Sequence, residues 1–510
     1  MTIKIITMNI KLSYHWAAAV LLAVATSCSN NDITTENGTK PTTDKNETKQ
    51  ISFIAGNERT RTSLNYDTSD FYWEDGDKIY VKDDDNTFQH SSNSVSGTKV
   101  PNFKFMMPGK YTRSSYTVYY PGKNGTDNKV TIASSQIQNG PDNTLHFGTV
   151  GDCGTGIATL QNGQYKFTLN HSAAYLCFKP TYDHPLTSTY ITKIEVTADK
   201  NIAGDYTLGE DGKLNGTGSS KIITLTPKLN GTDGLPMQNS EDGKSCAAGR
   251  MFMVIMPGKY EFTIKYYITD TETKVSGVIT KKFKSFEYTA NGYYDMPATL
   301  TMRAYEDDYY TWDAKKDYWY NHKDDQPKGS NYPTETDVER WFNGIKFPTA
   351  ASNSAKDCPN ANELTWYCMK GDPHWDNTTL WTVWKHLYTG GMWFKKKSVI
   401  ASENGKDPVY LTNYSFDNTD RTTKKTFETP PSNKRVLKGK PDNYRDYFFL
   451  PAMGNYASGK LKNFREYGFY WTKTPEPYFD KAYNLFFNDK EAGLSNISDR
   501  ENGYKLWTSQ

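Results

Sequence analysis

MFMVIMPGKYEFTIKYYI (251–268) decides the fold class. Two runs rich in Val, Ile, Phe, Tyr and Thr stand on either side of Pro257-Gly258. Such residues fit a pleated, half-buried strand, and Pro-Gly fits the turn between two of them. The unit recurs through the front of the chain: ISFIA (51–55), KIYV (78–81), YTVYY (116–120), KVTI (129–132), YKFTL (165–169), AAYLCFK (173–179), ITKIEVTA (191–198) and KIITLT (221–226). Asp-Gly, Pro-Gly and Asn-Gly pairs at 75–76, 108–109, 121–122, 124–125, 211–212 and 291–292 separate them. Short β-prone runs at this spacing predict antiparallel β-sandwiches. About 250 residues suits two of them. The expected domains are 50–160 and 161–303, with the boundary near 156–162.

Beyond Arg303 the composition changes. Ten of the twelve tryptophans lie there, from Trp312 to Trp507, whereas the front holds only Trp16 and Trp73. A third, α+β domain is expected over 304–510. Thr334 can cap a helix in TETDVERWF, and Asn360 or Asn362 one in NELTWYCMK. Asp376 or Asn377 can cap a third, TTLWTVWKHLY, which stops at Gly390-Gly391. In that third segment Leu380, Trp381, Trp384, Leu387 and Tyr388 follow 3–4 spacing, which reads as the core-facing stripe of a helix. After Lys440 the pattern returns to strands and turns.

Large rings either build a core or stack on a ligand. Trp312, Trp319, Trp375 and Trp393 stand in polar or Gly-rich surroundings and are the candidates for exposed ligand contacts. The competing reading makes each a partly buried structural residue. Asp372 and Asp376 offer carboxylates at short spacing, but two fall short of a calcium shell. No cofactor and no metal is expected. No Ser-His-Asp order, paired-carboxylate motif or phosphate loop stands out, so the chain is expected not to be an enzyme.

The first residues read as an export leader, 1–27. Lys4 and Lys11 are basic, Trp16 to Ala25 is apolar, and Ala25-Thr26-Ser27 precede Cys28. Ten apolar residues are too few to span a bilayer and suit a signal peptide. Cys28 is the expected lipidation site, which would tie the protein to the outer membrane. Residues 28–49 are polar and read as a flexible tether. Of the six cysteines, Cys153, Cys177, Cys246, Cys358 and Cys368 remain, with no CxxC among them. Cys177 reads as a buried thiol, and Cys358 and Cys368 either pair or stay free. A net charge of +2 gives no case for a nucleic-acid partner.

Several pieces in order resemble the fimbrillin family of Bacteroidetes pilus proteins. They are the Cys28 leader, RTRTSL (59–64), FYWEDGDKIYV (71–81), YTVYYPG (116–122), KVTIASSQ (129–136) and FTLNHSAAYLCF (167–178). ITKIEVTADKNIAGDYTLGEDGKL (191–214), FMVIMPGKYEFTIKYYI (252–268) and YTANGYYDMPATL (288–300) follow. The resemblance implies a mainly β chain with two tandem transthyretin-like sandwiches. CPNANELTWY (358–367), FLPAMG, GFYW (468–471) and AYNLFF (482–487) are similar to the C-terminal domain of fimbrial tip proteins. They are more distantly similar to Fibrobacter major paralogous domains, which implies a C-type-lectin-like fold for 304–510. The lectin calcium signature is missing: Gln326-Pro327 is followed by Lys328.

The resemblance also implies a mechanism. Stalk subunits of that family lose their first strand to an arginine-specific protease and accept a strand from a neighbour. Here ISFIA would be that strand, and Arg59 or Arg61 the scissile position. The expected protein is a non-catalytic pilus tip subunit or adhesin at the cell surface, bound to stalk subunits by donor-strand addition. Its C-terminal domain would face a host or microbial glycan or a surface protein. The alternative is a free outer-membrane lipoprotein that keeps its acyl chains and binds extracellular glycans.

Overall fold

The structure, a computed structural model, describes residues 4–5, 50–55, 63–65, 70–326, 329–423, 429–477 and 479–508. Cys28, Arg59 and Arg61 lie outside the described residues. The chain is mainly β, with several sheets and a few short helices.

An eight-stranded sheet builds the front module. Its first strand, Ile51–Ala55, lies between two others: parallel to Gln164–Phe167 and antiparallel to Phe103–Met107. Ile51, Phe53 and Ala55 point into a core with Trp73, Val81, Phe105 and Val118, as a period of two dictates.

The middle module is a two-layer packing. One layer holds Ala174–Phe178 between Met251–Ile255 and Tyr293–Met296. The other holds Thr189–Ala198 between Ile222–Leu229 and the long strand Gly258–Asp270, which hairpins into Ser276–Tyr288. Leu176, Met253 and Met296 of the first layer meet Ile194, Leu225, Ile264 and Tyr266 of the second in the largest core of the molecule. Each such side chain contributes roughly 1.5–3 kcal/mol on burial. Ala174–Phe178 is buried on both faces. Its outer face, which includes Cys177, lies under Phe147 and Val150 of the short helix Phe147–Val150.

Strand pairing crosses the expected boundary near 160. Lys129–Ile132 pairs with Gly204–Leu208, and Ser135–Asn139 runs parallel to Ile222–Leu229. Gln136 and Gln138, both fully buried, reach from there to the edge of Met251–Ile255. Gln136 Oε1 accepts from Val254 N at 2.9 Å, and its Nε2 donates to Val254 O at 2.7 Å. Gln138 Oε1 accepts from Phe252 N at 2.7 Å, and its Nε2 donates to Arg250 O at 2.9 Å. Two side-chain amides thus satisfy a strand edge that would otherwise be buried with open main-chain groups.

In the C-terminal module the helix Ala361–Lys370 forms where its cap predicts, with Asn360 Oδ1 accepting from Glu363 N at 2.9 Å. TETDVERWF forms turns instead of a helix. Asp337 Oδ1 accepts from Glu339 N and Arg340 N there, a local turn that competes with a helical start.

TTLWTVWKHLY is a hairpin, not a helix. Trp381–Val383 pairs antiparallel with His386–Tyr388 around Trp384 and Lys385, whose φ values are 51° and 66°. Both central residues are left-handed, as a tight primed turn requires. That conformation costs roughly 1–2 kcal/mol per residue away from glycine. Contacts with the middle module offset it. Leu387 is buried in the middle module's core. Asp270 Oδ2 accepts from Leu387 N at 3.0 Å and meets His386 Nδ1 at 3.1 Å. Tyr182 Oη lies 2.8 Å from Thr382 Oγ1, and Arg303–Ala304 runs parallel to Trp381 and Thr382. The hairpin bolts the C-terminal module to the middle one.

Candidate functional site

The first candidate site is the seat of Ile51–Ala55. Five residues pair in register with Phe103–Met107, from Ile51 with Met107 to Ala55 with Phe103. On the other side Phe53, Ile54 and Ala55 pair with Tyr165, Lys166 and Phe167. Phe53 stacks on Tyr165 (4.7 Å, 16°) and meets the edges of Tyr111 and Tyr116. Without this strand, two ladder edges and a ring-lined slot face outward together.

The four candidate tryptophans are buried, which corrects the expectation of exposed faces. Trp312 and Trp319 are at 0 % exposure, Trp375 at 5 % and Trp393 at 8 %. Trp312 Nε1 donates to Thr472 O at 2.8 Å, and the Arg500 guanidinium covers its ring at 4.3 Å. Trp319 packs with Tyr318 and Tyr456. Trp393 Nε1 donates to Asp376 Oδ2 at 3.0 Å. Of the polar neighbours that suggested exposure, Asn377 is the one that takes up a buried indole N–H, that of Trp375. Trp312 and Trp393 find their acceptors elsewhere in the fold. Trp375 and Trp393 stand on adjacent strands but on opposite faces, since His374 pairs with Trp393 and Trp375 with Met392. Trp319 and Trp393 share one core cluster, while Trp312 and Trp375 each fall in another.

Asp376 is occupied as an acceptor by Thr378 N and Oγ1, Thr379 Oγ1 and Trp393 Nε1. Asp372 accepts from Tyr447 Oη at 2.7 Å. Cys358 and Cys368 are free and buried, with no disulfide between them. Burial pushes the Cys358 thiol up to about 12 and raises that of Cys368 as well, so neither is a ready thiolate.

The second candidate site is a groove that the sequence did not announce. Two clefts of about 410 and 400 Å³ share Asn377, Arg465 and Glu466 as lining. Phe464 and Thr389 complete one, while Trp375, Tyr467 and Lys490 line the other. Trp375 Nε1 donates to Asn377 Oδ1 at 2.9 Å, which fixes the amide with its NH₂ available. Tyr467 lies parallel on Phe469 (5.7 Å, 9°). Arg465 stands at φ 70° in a turn closed by Glu466 N and Tyr467 N donating to Asn463 O.

Gly390, next to the lining residue Thr389, is buried behind the groove at φ 98°. A Cβ there would stand 3.1 Å from Arg465 O, 3.6 Å from Asn377 Oδ1 and 3.7 Å from Trp375 Cζ2. In the sequence Gly390 read only as a helix stop, and Arg465 and Glu466 carried no signal. Three chain segments far apart in sequence have to meet before the groove exists.

No protein-family profile matches the chain, and no curated protein matches it. Solved structures similar to parts of it include a candidate cell adhesion protein from Bacteroides fragilis. That likeness has 12% identity and a TM-score of 0.28, over 49% of this chain and 93% of that one. The fimbrial anchor protein Mfa2 from Porphyromonas gingivalis gives 11% identity and a TM-score of 0.25, over 49% of this chain and 90% of that one. The C-terminally truncated tip fimbrial protein Mfa3 from the same organism gives 10% identity and a TM-score of 0.26, over 50% and 96%.

Proposed function

We propose that the chain is a non-catalytic pilus subunit that accepts a neighbour's strand in its front module and presents its C-terminal module for adhesion. The observation that carries this reading is the seat of Ile51–Ala55. It is the first strand of its sheet and sits between two others, and RTR (59–61) follows it in sequence. Removing it opens a slot with hydrogen-bonding edges on both sides. A donor with apolar residues at alternate positions would restore the ladder and refill the place of Phe53, which is the physics of strand addition.

The tip position is supported by the way residues 503–507 are tied into the C-terminal module. Tyr504 exchanges main-chain hydrogen bonds with Tyr310, Gly503 does so with Tyr456, and Trp471 N donates to Lys505 O. Trp507 stacks on Phe448 (5.4 Å, 22°). A segment committed in this way to its own module is not free to donate.

The mature N-terminus tests the proposal. After exposure to an arginine-specific protease, mass spectrometry is expected to find Thr60 or Thr62 first, with the chain joined to stalk subunits on co-expression. An acylated Cys28, no cut at Arg59 or Arg61 and no joining would overturn it in favour of the free glycan-binding lipoprotein.

A further inference from the structure

We propose that the groove at Asn377, Arg465 and Glu466 binds a carboxylated pyranose, that is, a uronic or sialic acid residue of a glycan. This names the ligand class for the adhesive module and rests on the adhesion reading above. The groove is too polar for an apolar ligand and large enough for a sugar ring or two. Its walls combine flat rings with hydrogen-bonding side chains, a pairing that suits a ligand with apolar ring faces and hydroxyl edges.

Charge selects within that class. Among the described residues, the Arg465 guanidinium, the Lys490 ammonium and the Glu466 carboxylate form no hydrogen bond or ion pair. Asp489 also lines the groove, but its carboxylate is tied to Lys438 at 3.8 Å. The uncommitted groups are therefore two cations and one anion. A guanidinium fork matches a carboxylate through two parallel hydrogen bonds. Glu466 is left to accept from hydroxyls, and the Asn377 amide to donate. The backbone holds Arg465 in a left-handed turn conformation, φ 70°. Gly390 allows the Arg465 turn to pack close behind the groove, since a Cβ there would stand 3.1 Å from Arg465 O.

Calorimetric titration of the full mature chain tests this with three probes. They are a hexasaccharide of alternating glucuronate and N-acetylglucosamine, 3′-sialyllactose, and lactose as the neutral control. At least one acidic probe is expected to bind at least tenfold more tightly than lactose, and which one binds separates the uronic from the sialic source. Arg465→Asn is expected to weaken acidic binding at least tenfold. Asn tolerates the left-handed turn, so the fold should survive, and an unchanged thermal transition checks that. Arg465→Lys keeps the charge and loses the fork, so an intermediate loss is expected. Raised salt should weaken the wild type and leave Arg465→Asn less affected. No binding of either acidic probe, equal binding of lactose, or full binding by a folded Arg465→Asn would each overturn the assignment. The strand-acceptor reading fails separately, by the mature N-terminus, so loss of one does not mimic loss of the other.

Discussion

The front module and the C-terminal module close themselves in opposite ways. The front module is completed by Ile51–Ala55, whose hold is two main-chain ladders and one buried ring, Phe53. Any strand of the same period with one large apolar side chain could offer the same bonds. The C-terminal module is closed by 503–507, where Tyr504 stacks on Trp471 (4.2 Å) and Trp507 packs against Phe448 and Tyr367. Lys505 is buried there too, donating to Glu306 O at 2.8 Å. Those side chains fit one place only. Generic ladders permit exchange, whereas interlocked rings make a closure permanent.

The largest expected effect breaks the comparison directly. Deleting 50–55 should leave the middle and C-terminal modules folded, and a synthetic ISFIA peptide added in trans should restore protection of the front module in hydrogen exchange. Deleting 503–508 should unfold the C-terminal module, with no rescue by the matching peptide. Rescue of both, or of neither, would erase the distinction.

Single substitutions sharpen it. Trp507→Ala should cost about 3–5 kcal/mol in the C-terminal module, read as a shifted denaturant midpoint. Phe53→Ala should cost a similar amount in the front module alone. The same change in a donor peptide should weaken its rescue, because Phe53 is the only large ring on that strand.

The hairpin comes next. Asp270→Ala leaves the buried Leu387 N–H, and those of Glu272 and Thr273, without their acceptor. The expected cost is on the order of 1–3 kcal/mol, with the middle and C-terminal transitions separating in calorimetry. Burial pushes the Asp270 carboxyl up, but the Leu387, Thr273 and Glu272 N–H donors outweigh it and hold it below the usual range. Its contribution is therefore present above the unfolded carboxylate range, near pH 4, and lost as pH falls below it. The coupling between modules should weaken on acidification, and less so in Asp270→Asn.

The smallest effect concerns Lys505. Burial pulls its ammonium down to about 8, well below an unfolded lysine. Between that value and about 10.4 the unfolded chain holds the extra proton, so the C-terminal module should gain stability from pH 8 to 9.5. Lys505→Met should flatten that rise, as measured by denaturant midpoints.

Much of the fold is legible in the residues. The Pro257-Gly258 break between two strands, the alternation of 258–270 and the Asn360-capped helix need only local preferences. That the chain crosses from one layer to the other at that break is a matter of packing. The stripe at 380–388 was misread for a physical reason. A spacing of 3 and 4 also arises when two short strands meet across a two-residue turn. Trp384-Lys385 lacks the Asn-Gly signal that announces such a turn. Polar neighbours likewise hid the burial of Trp312 and Trp393, because an indole N–H seeks a partner in the interior as readily as at the surface.

The sequence by itself determined the mainly β class, the change of composition at Arg303 and the identity of the first strand. Each is set by short-range periodicity and composition. Tertiary structure alone decided that 380–388 is a bolt between modules, that Trp312, Trp319, Trp375 and Trp393 are buried, and that Asn377, Arg465 and Lys490 share a groove. These follow from contacts among residues tens to hundreds of positions apart, where packing energy overrides local preference.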